Sequence, residues 1–346
     1  MKRQRYKVGI DISGGDFAPS QILKGALRAE KELHEDIVLI GVKSEIEQEL
    51  AKHKRSPKDF TIIDAPEKVT MEDSPVNAIR KKKNSSIVVG ARLMKERQID
   101  AFVSCGNTGA VVGASALVLG LAQGVERPGI ALALPTKKGI SMVIDVGANI
   151  DCKPSHLFQY GVMASVYSKL VLGKKNPSIG ILNIGEEASK GSDLLKKVHK
   201  LFSAAPLNFM GNLEAREILS GKCDCIICDG FVGNIALKVV EGSVETMSRI
   251  LIRTMSKGIR GRISLLLAKK NLLEFKRTLD YAEHGGAPLL GVDGIVIIGH
   301  GRSNSFAVKN AIRAAVRELK THLTTEISRR INEVCQDSRV REVLTA

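Results

Sequence analysis

Apolar runs of strand length alternate with helix-length patterns along the whole chain. Residues 6–10 (YKVGI) lead through DISGGD into a helical pattern near 19–33, and 37–42 (IVLIGV) precede a second helix around 44–53. The alternation returns at 60–65 before a helix near 84–97, at 101–105 before an uncharged helix, and at 140–146 before a helix near 154–172. It continues with 178–184 and a helix around 191–203, with CDCIICD before a long helical region, and with 294–300 before a final helix of about 304–334. Short apolar strands each followed by a helix predict a doubly wound α/β fold, with a largely parallel sheet and helices on both faces. No Pro- or Ser-rich linker divides the chain, so 1–346 reads as a single domain.

Glycine-rich loops stand where these strands end: Gly14-Gly15-Asp16, Gly106-Asn107-Thr108-Gly109, Gly147-Ala148-Asn149, Gly185-Glu186-Glu187, Gly230 to Asn234, and Gly299-His300-Gly301. Ligands of open parallel sheets bind beyond the carboxyl ends of the strands. Helix N-termini there present free N–H groups and partial positive charge, which suits phosphate. A single Gly-Asn turn is explained well enough as a helix cap. Six such loops, expected to converge on one edge of the sheet, favour an anion site. Asn107, Asn149 and Asn234 add amide donors to it, and Lys190 in EEASKGS adds a cation.

Composition narrows the partners. The 346 residues carry 52 Lys and Arg against 37 Asp and Glu, a net charge of +15, which asks for an acidic partner. Tryptophan is absent, so a surface that stacks single-stranded bases is poorly supplied, and no nucleic-acid partner is expected. Nine Lys or Arg and one Glu fall in 249–277, interleaved with Ile259, Ile263, Leu266, Leu267, Leu272, Leu273 and Phe275. A basic amphipathic helical protrusion is expected over 245–280. It either packs on the body or a dimer partner, or meets acidic headgroups or an acidic protein. The uncharged stretch 101–125 is broken by five glycines and reads as strand, loop and buried helix, not as a membrane span. The N-terminus has no signal-peptide pattern, and a cytoplasmic location is expected.

Several familiar devices are missing. There is no G-x-x-x-x-G-K-[ST], no G-x-G-x-x-G after the first strand and no G-x-S-x-G. Of the six cysteines, Cys223, Cys225 and Cys228 cluster, with the first two expected on one strand face and the third on the other. No second pair or nearby His completes a metal set, so buried small hydrophobes are expected and none is expected as nucleophile. His300 follows a strand and reads equally as acid–base group or as loop hydrogen-bonder.

In order along the chain, GIDISGGDFAP (9–19), AIRKKKNSS (78–86), VSCGNTGA (103–110), DVGANIDCKPSHL (145–157), GILNIGEEASKG (180–191), DGFVGNIALKVVEG (229–242), GGAPLLGVDG (285–294) and HGRSN (300–304) resemble the bacterial phosphate acyltransferases, the PlsX family. Two departures, DISGGD where Ala-Met usually precedes the glycines and Cys105 where Ala is usual, are small swaps. The resemblance implies an isocitrate-dehydrogenase- and phosphotransacetylase-like fold, usually homodimeric. The implied reaction moves a fatty acyl group from acyl-acyl-carrier-protein to inorganic phosphate, without cofactor or metal. Its acyl phosphate would serve phosphatidic acid synthesis through a membrane glycerol-3-phosphate acyltransferase, which admits peripheral membrane association. By resemblance Lys190 and Asn234 are the catalytic pair, Lys190 neutralising phosphate or oxyanion charge and Asn234 donating to the thioester carbonyl. Gly14, Gly15, Asn107, Thr108, Gly109, Asn149, Gly233 and His300 would bind phosphate or the acyl donor. Arg80, Lys81, Lys82 and Lys83 read either as a solvated charge run or as a hold on anionic donor groups. The rivals are a short-chain acyl-CoA phosphotransacylase, an NAD-dependent dehydrogenase lacking its metal-binding aspartates, and a basic nucleic-acid binder that leaves the glycine loops unexplained.

Overall fold

Val8, Ile10, Leu39, Ile40, Val103 and Ile297 are almost completely shielded from solvent, as strands covered on both faces require. The computed structural model describes residues 5–258, 261, 264–268, 270–271 and 285–345. Its strands are β1 (Lys7–Asp11), β2 (Asp36–Gly41), β3 (Thr61–Asp64), β4 (Ala101–Ser104), β5 (Gly129–Thr136), β6 (Gly139–Ile144), β7 (Ile179–Asn183), β8 (Phe209–Glu214), β9 (Cys225–Ile227), β10 (Ala287–Leu290) and β11 (Ile295–Ile298). They join in one sheet, in the order β3-β2-β1-β4-β11-β10-β5-β6-β9-β7-β8.

Strand direction divides this sheet. β3, β2, β1, β4 and β11 are mutually parallel, and so are β6, β9, β7 and β8. β10 and β5 pair antiparallel with each other and with their outer neighbours. Three successive reversals leave the two parallel sets running in opposite senses. The expectation that all six glycine loops share one edge is therefore corrected: those after β1, β4 and β11 lie at one edge, and those after β6, β7 and β9 at the other.

β5, β8 and β10 are strands that the alternation does not announce. β5 turns back on β6 without an intervening helix, β8 is an edge strand, and β10 is four residues long with Pro288 inside it. The final helical pattern also divides, into α9 (Ser305–Leu319), α10 (Leu323–Gln336) and α11 (Ser338–Thr345). Thr321 Oγ1 donates to the Glu318 carbonyl at 2.7 Å just past the end of the first helix, and His322, left-handed at φ 51, turns the chain into the second.

The sheet separates two apolar clusters. On one face pack α1 (Ser20–Leu33), α2 (Lys43–Lys52), α6 (Pro154–Leu170), α7 (Asp193–Ala204), α9 and α10. α6 is buried nearly all round, at Leu157, Phe158, Tyr160, Val162 and Met163 among others, because it lies between the sheet and α10. The other face carries α4 (Ser86–Lys95) and α5 (Thr108–Ala114) on the first parallel set, and the start of α8 (Gly230–Met255) on the second. A short α3 (Pro75–Lys81) leans on α5. The uncharged stretch 101–125 is thus β4, α5 and a π turn over 115–119.

α8 has 26 residues, of which only Gly230 and Gly233 are buried. Ala236, Leu237 and Val240 rest partly on the second cluster. Beyond them Met247, Ile250, Leu251 and Ile252 are exposed. The expected protrusion over 245–280 falls partly on this helix, and its residues 259–260, 262–263, 269 and 272–280 lie outside the described residues. Among the described residues no helix is long and apolar enough to cross a membrane.

One buried acid gives the fold a pH dependence. Glu318 on α9 accepts from Tyr167 Oη of α6 at 3.0 Å inside the core. Burial pushes its carboxyl up to about 8, while the Tyr167 hydrogen bond and the Arg317 charge oppose that rise. Between the ordinary carboxyl range and about 8, the unfolded chain has released this proton and the folded chain still holds it. Glu318 therefore makes stability fall as pH rises through that window, and level off above it. Urea unfolding across this range should show wild type losing stability relative to Glu318→Gln, which cannot ionise. Parallel curves for the two proteins would show that Glu318 does not titrate in the fold.

Candidate active site

Two apolar strands end in aspartate, and both carboxylates are tied to the glycine loops that follow. Asp11 closes β1 and is fully buried. Its Oδ1 accepts from Ser13 N–H at 3.1 Å and its Oδ2 from Ser104 Oγ at 2.6 Å, across to the end of β4. Ser104 Oγ accepts in turn from Gly106 N–H at 3.1 Å. Asp145 follows β6 and does the same work in the other set. Its Oδ1 accepts from the N–H groups of Ile130 (3.1 Å), Gly147 (3.1 Å) and Ala148 (2.9 Å), and its Oδ2 from Asn149 N–H (2.7 Å). Burial pushes both carboxyls up, and these hydrogen bonds draw them back down. Every close contact to the Asp145 oxygens is a donated N–H, so the acceptor-only carboxylate is the form that fits. Neither residue is among those expected from the sequence. The signal lies in KVGID and SMVID, where an apolar run closes on an aspartate ahead of glycine.

The glycines of DGFVGN answer to this anchor. Asp229 caps α8 by accepting from Val232 N–H at 2.8 Å, and Gly230 N–H donates to the Asn149 carbonyl at 2.8 Å. A Cβ on Gly230 would sit 2.6 Å from that carbonyl oxygen, and one on Gly233 would collide with the carbonyl oxygen of Asp145. The helix backbone lies directly on the Asp145–Asn149 loop. Asn234 then emerges beside Gly147, exposed, and its carboxamide makes no hydrogen bond to any described residue.

Between α5 and α8, over β10 and β5, a cleft of about 420 Å³ opens on the second face. Ile130, Leu132, Val146, Ala287 and Ile298 form an apolar floor. Asp16, Met71 and Thr108 wall one side, and Asn234, Leu237, Lys238 and Glu241 the other, one face of α8 at helical spacing. The loop Gly299–Arg302 closes one end. Opposite edges of the sheet thus contribute to one cleft, because the loops of each set bend over the same two central strands. A larger depression of about 780 Å³ lies at the amino ends of β1–β3, away from every glycine loop, and is lined by groups of both signs, including the pair Arg5 and Asp36.

Of the expected residues, Thr108, Asn234 and His300 line the cleft. Gly14 and Gly15 form the neighbouring turn. Gly15 has φ +104 and packs against the Gly301 and Cys105 carbonyls, and Asp16 N–H donates to Gly301 O at 2.8 Å. Gly109 begins α5 against Pro75, and Gly233 is buried beneath α8. The amides of Asn107 and Asn149 are already engaged. Asn107 caps α5 through Ala110 N–H (3.0 Å) and donates to the carbonyls of Thr70, Met71 and Asp73. Asn149 Nδ2 donates to Pro128 O (2.6 Å) and Tyr160 Oη (2.8 Å). Lys190 is exposed on the loop after β7, does not line the cleft, and its ammonium has no partner among the described residues. In the run 80–83, Lys82 is spent on Asp73 (2.6 Å) and on the Lys68 carbonyl.

Electrostatics at the cleft are mixed. His300 Nδ1 accepts from Arg302 N–H at 3.1 Å, which assigns the proton of the neutral ring to Nε2. Burial first, then the Lys238 charge, lowers its pKa, so the neutral imidazole prevails at neutral pH. Lys238 pairs with Glu241 at 2.9 Å. The cysteines stay clear of this chemistry: burial pushes the thiols of Cys105 and Cys225 up to about 12 and of Cys223 up to about 11. Their facing departs from the expectation. Cys225 points to the first cluster, whereas Cys223, which precedes β9 and escapes its alternation, joins Cys228 in the second. Among the described residues no group of three or more His, Cys, Asp or Glu is placed to hold a metal ion.

Comparison with known proteins fits this geometry. The family model described as "Fatty acid synthesis protein" matches residues 6–326. A phosphate acyltransferase of Desulforudis audaxviator is 43% identical over 328 residues, covering 95% of this chain and 97% of that protein. One of Alkaliphilus oremlandii is also 43% identical, over 96% and 99% of the two chains. Among solved structures, a phosphotransacetylase from Streptococcus pyogenes superimposes with a TM-score of 0.63 at 15% identity, over 91% of this chain and 94% of that one. At that identity the likeness concerns the fold.

Packing of α8 on its anchor can be tested through two glycines of one helix. Gly233→Ala should cost about 1–3 kcal/mol in urea unfolding, since its methyl meets backbone that cannot yield. Gly242→Ala, where an added Cβ meets nothing within 4 Å, should gain up to about 1 kcal/mol. Equal responses at the two sites would mean that α8 does not sit tightly on Asp145.

Proposed function

The chain belongs to the fatty acid synthesis protein family, and on that premise we propose that acyl carrier protein is its acyl donor and that its acyl phosphate enters phosphatidic acid and phospholipid synthesis. The chain is an acyltransferase, and phosphate is the acceptor its family and fold carry. The carrier as donor accounts for the net charge of +15, because an acidic partner is steered by a basic surface.

The observation that carries this reading is the inventory of the cleft. It offers a carboxamide without a partner among the described residues, an apolar floor, and no cysteine or serine among the described residues lining it. Such a site suits a nucleophile that arrives already charged. A phosphate oxygen attacks the thioester carbonyl, the C–O bond forms, and the tetrahedral oxyanion collapses with loss of the carrier's thiolate. The protein has to position the two reactants and stabilise the oxyanion. In our assignment Asn234 donates to the thioester oxygen and Lys190, whose ammonium has no partner among the described residues, balances phosphate or oxyanion charge. Gly14, Gly15, Thr108 and His300 would bind the acyl donor from the facing loops, with Asn107, Asn149, Gly109 and Gly233 holding those loops in place. We further propose a homodimer and peripheral contact with an anionic membrane, both through α8 and the basic stretch 249–277, since Met247, Ile250, Leu251 and Ile252 are exposed there.

Phosphate-dependent thiol release from acyl-carrier-protein and from acyl-CoA should favour the carrier thioester. Asn234→Ala and Lys190→Ala, shown to be folded, should each lose about 10²–10³ in kcat. Normal turnover in both variants would rule out the assignment. Reversal of the charges at Arg249, Arg253 and Lys257 should weaken binding to anionic liposomes or raise KM for the carrier; an unchanged protein on both measures would remove that segment from partner recognition.

A further inference from the structure

We propose that the acyl chain of the donor lies in the cleft over β5 and β10, and that the side chains of these two strands set which chain lengths the protein uses. This rests on the reading above that the cleft moves an acyl group to phosphate.

The cleft follows from how the described helices divide over the sheet. On this side of the sheet α4 and α5 lie over the first parallel set and α8 starts over the second. Ile130 and Leu132 of β5, Ala287 of β10 and Ile298 of β11 give this region an apolar floor, with the cleft directly above it. Leu237 of α8 and Met71 of the facing segment add apolar walls. From β6 to β11 the sheet order passes three strand spacings, about 14 Å, which gives the floor the length of an extended chain and not of a small ligand.

Its two ends differ from its middle. At the β6 end stand Gly147 and Asn234, the place of the reacting carbonyl. At the β11 end stand His300, Arg302 and Asp16, which would have to lose water against a methyl terminus. A chain that starts at Asn234 therefore gains with each methylene until it reaches the polar loop. Removal of one methylene from water is worth roughly three- to fourfold in kcat/KM. Ala287 is the smallest side chain of the floor and is partly exposed, so the room above it is the adjustable part.

The test uses full-length protein and carrier thioesters from acetyl to palmitoyl, with kcat/KM read as phosphate-dependent thiol release. Wild type should gain about threefold or more per methylene and then reach a plateau. Ala287→Phe should move the plateau to shorter chains, Ala287→Val should do so less, and Leu132→Ala should move it to longer ones, with thermal unfolding confirming that each variant is folded. Variants that scale every chain length by one common factor would overturn the inference while leaving acyl transfer to phosphate intact. A wild-type protein whose thiol release ignores phosphate with every thioester would instead sink the functional reading, and the inference with it.

Discussion

The structure depends on what is done with the Asp145 carboxylate. An ionised group taken out of water is costly unless its oxygens are occupied. Here they are occupied by four backbone N–H groups from the loop that follows and from β5. The charge is thereby held, and the loop is bent into one shape. Gly230 and Gly233 then let α8 settle on that loop, and α8 presents Asn234. Asp11 repeats the device at the other parallel set, through Ser13, Ser104 and Gly106. In each half, a buried acid turns a strand end into a rigid platform of amides.

Placement of these platforms on one cleft follows from strand direction. A sheet with one sense throughout would gather its loops at a single edge. The antiparallel strands β10 and β5 invert the second set, so the loops approach from opposite edges and meet over the strands that cause the inversion. An enzyme that moves an acyl group to phosphate gains from this arrangement, because both halves of the sheet reach the same cleft. Ile130, Leu132, Val146, Ala287 and Ile298 keep the floor between the two halves apolar.

The alternation of strand and helix was plain in the chain wherever a helix followed a strand, and the resemblance over nearly its whole length fixed the family. β5 and β10 were not, because one is a hairpin arm and the other is short and holds a proline, and they are the strands that reverse the sheet. The role of glycine in DGFVGN was only half legible. Composition pointed to backbone approach towards a ligand, whereas Gly233 approaches another stretch of protein backbone. Asn107 and Asn149 looked like Asn234 in the sequence, yet their amides serve the loops, as only the carbonyls around them reveal. Lys190 carries no such commitment among the described residues, and the loop after β7 that bears it is not part of the cleft's lining.

α8 is held at its root. Beyond Val240 none of its side chains joins either core cluster, and about 20 Å of helix extends past that point. Asn234 stands near the pivot of this arm. A small tilt at the root becomes a wide swing at the tip, and whatever clasps the tip steadies the root. Grip at the outer end of the helix and the position of the Asn234 carboxamide are mechanically one variable.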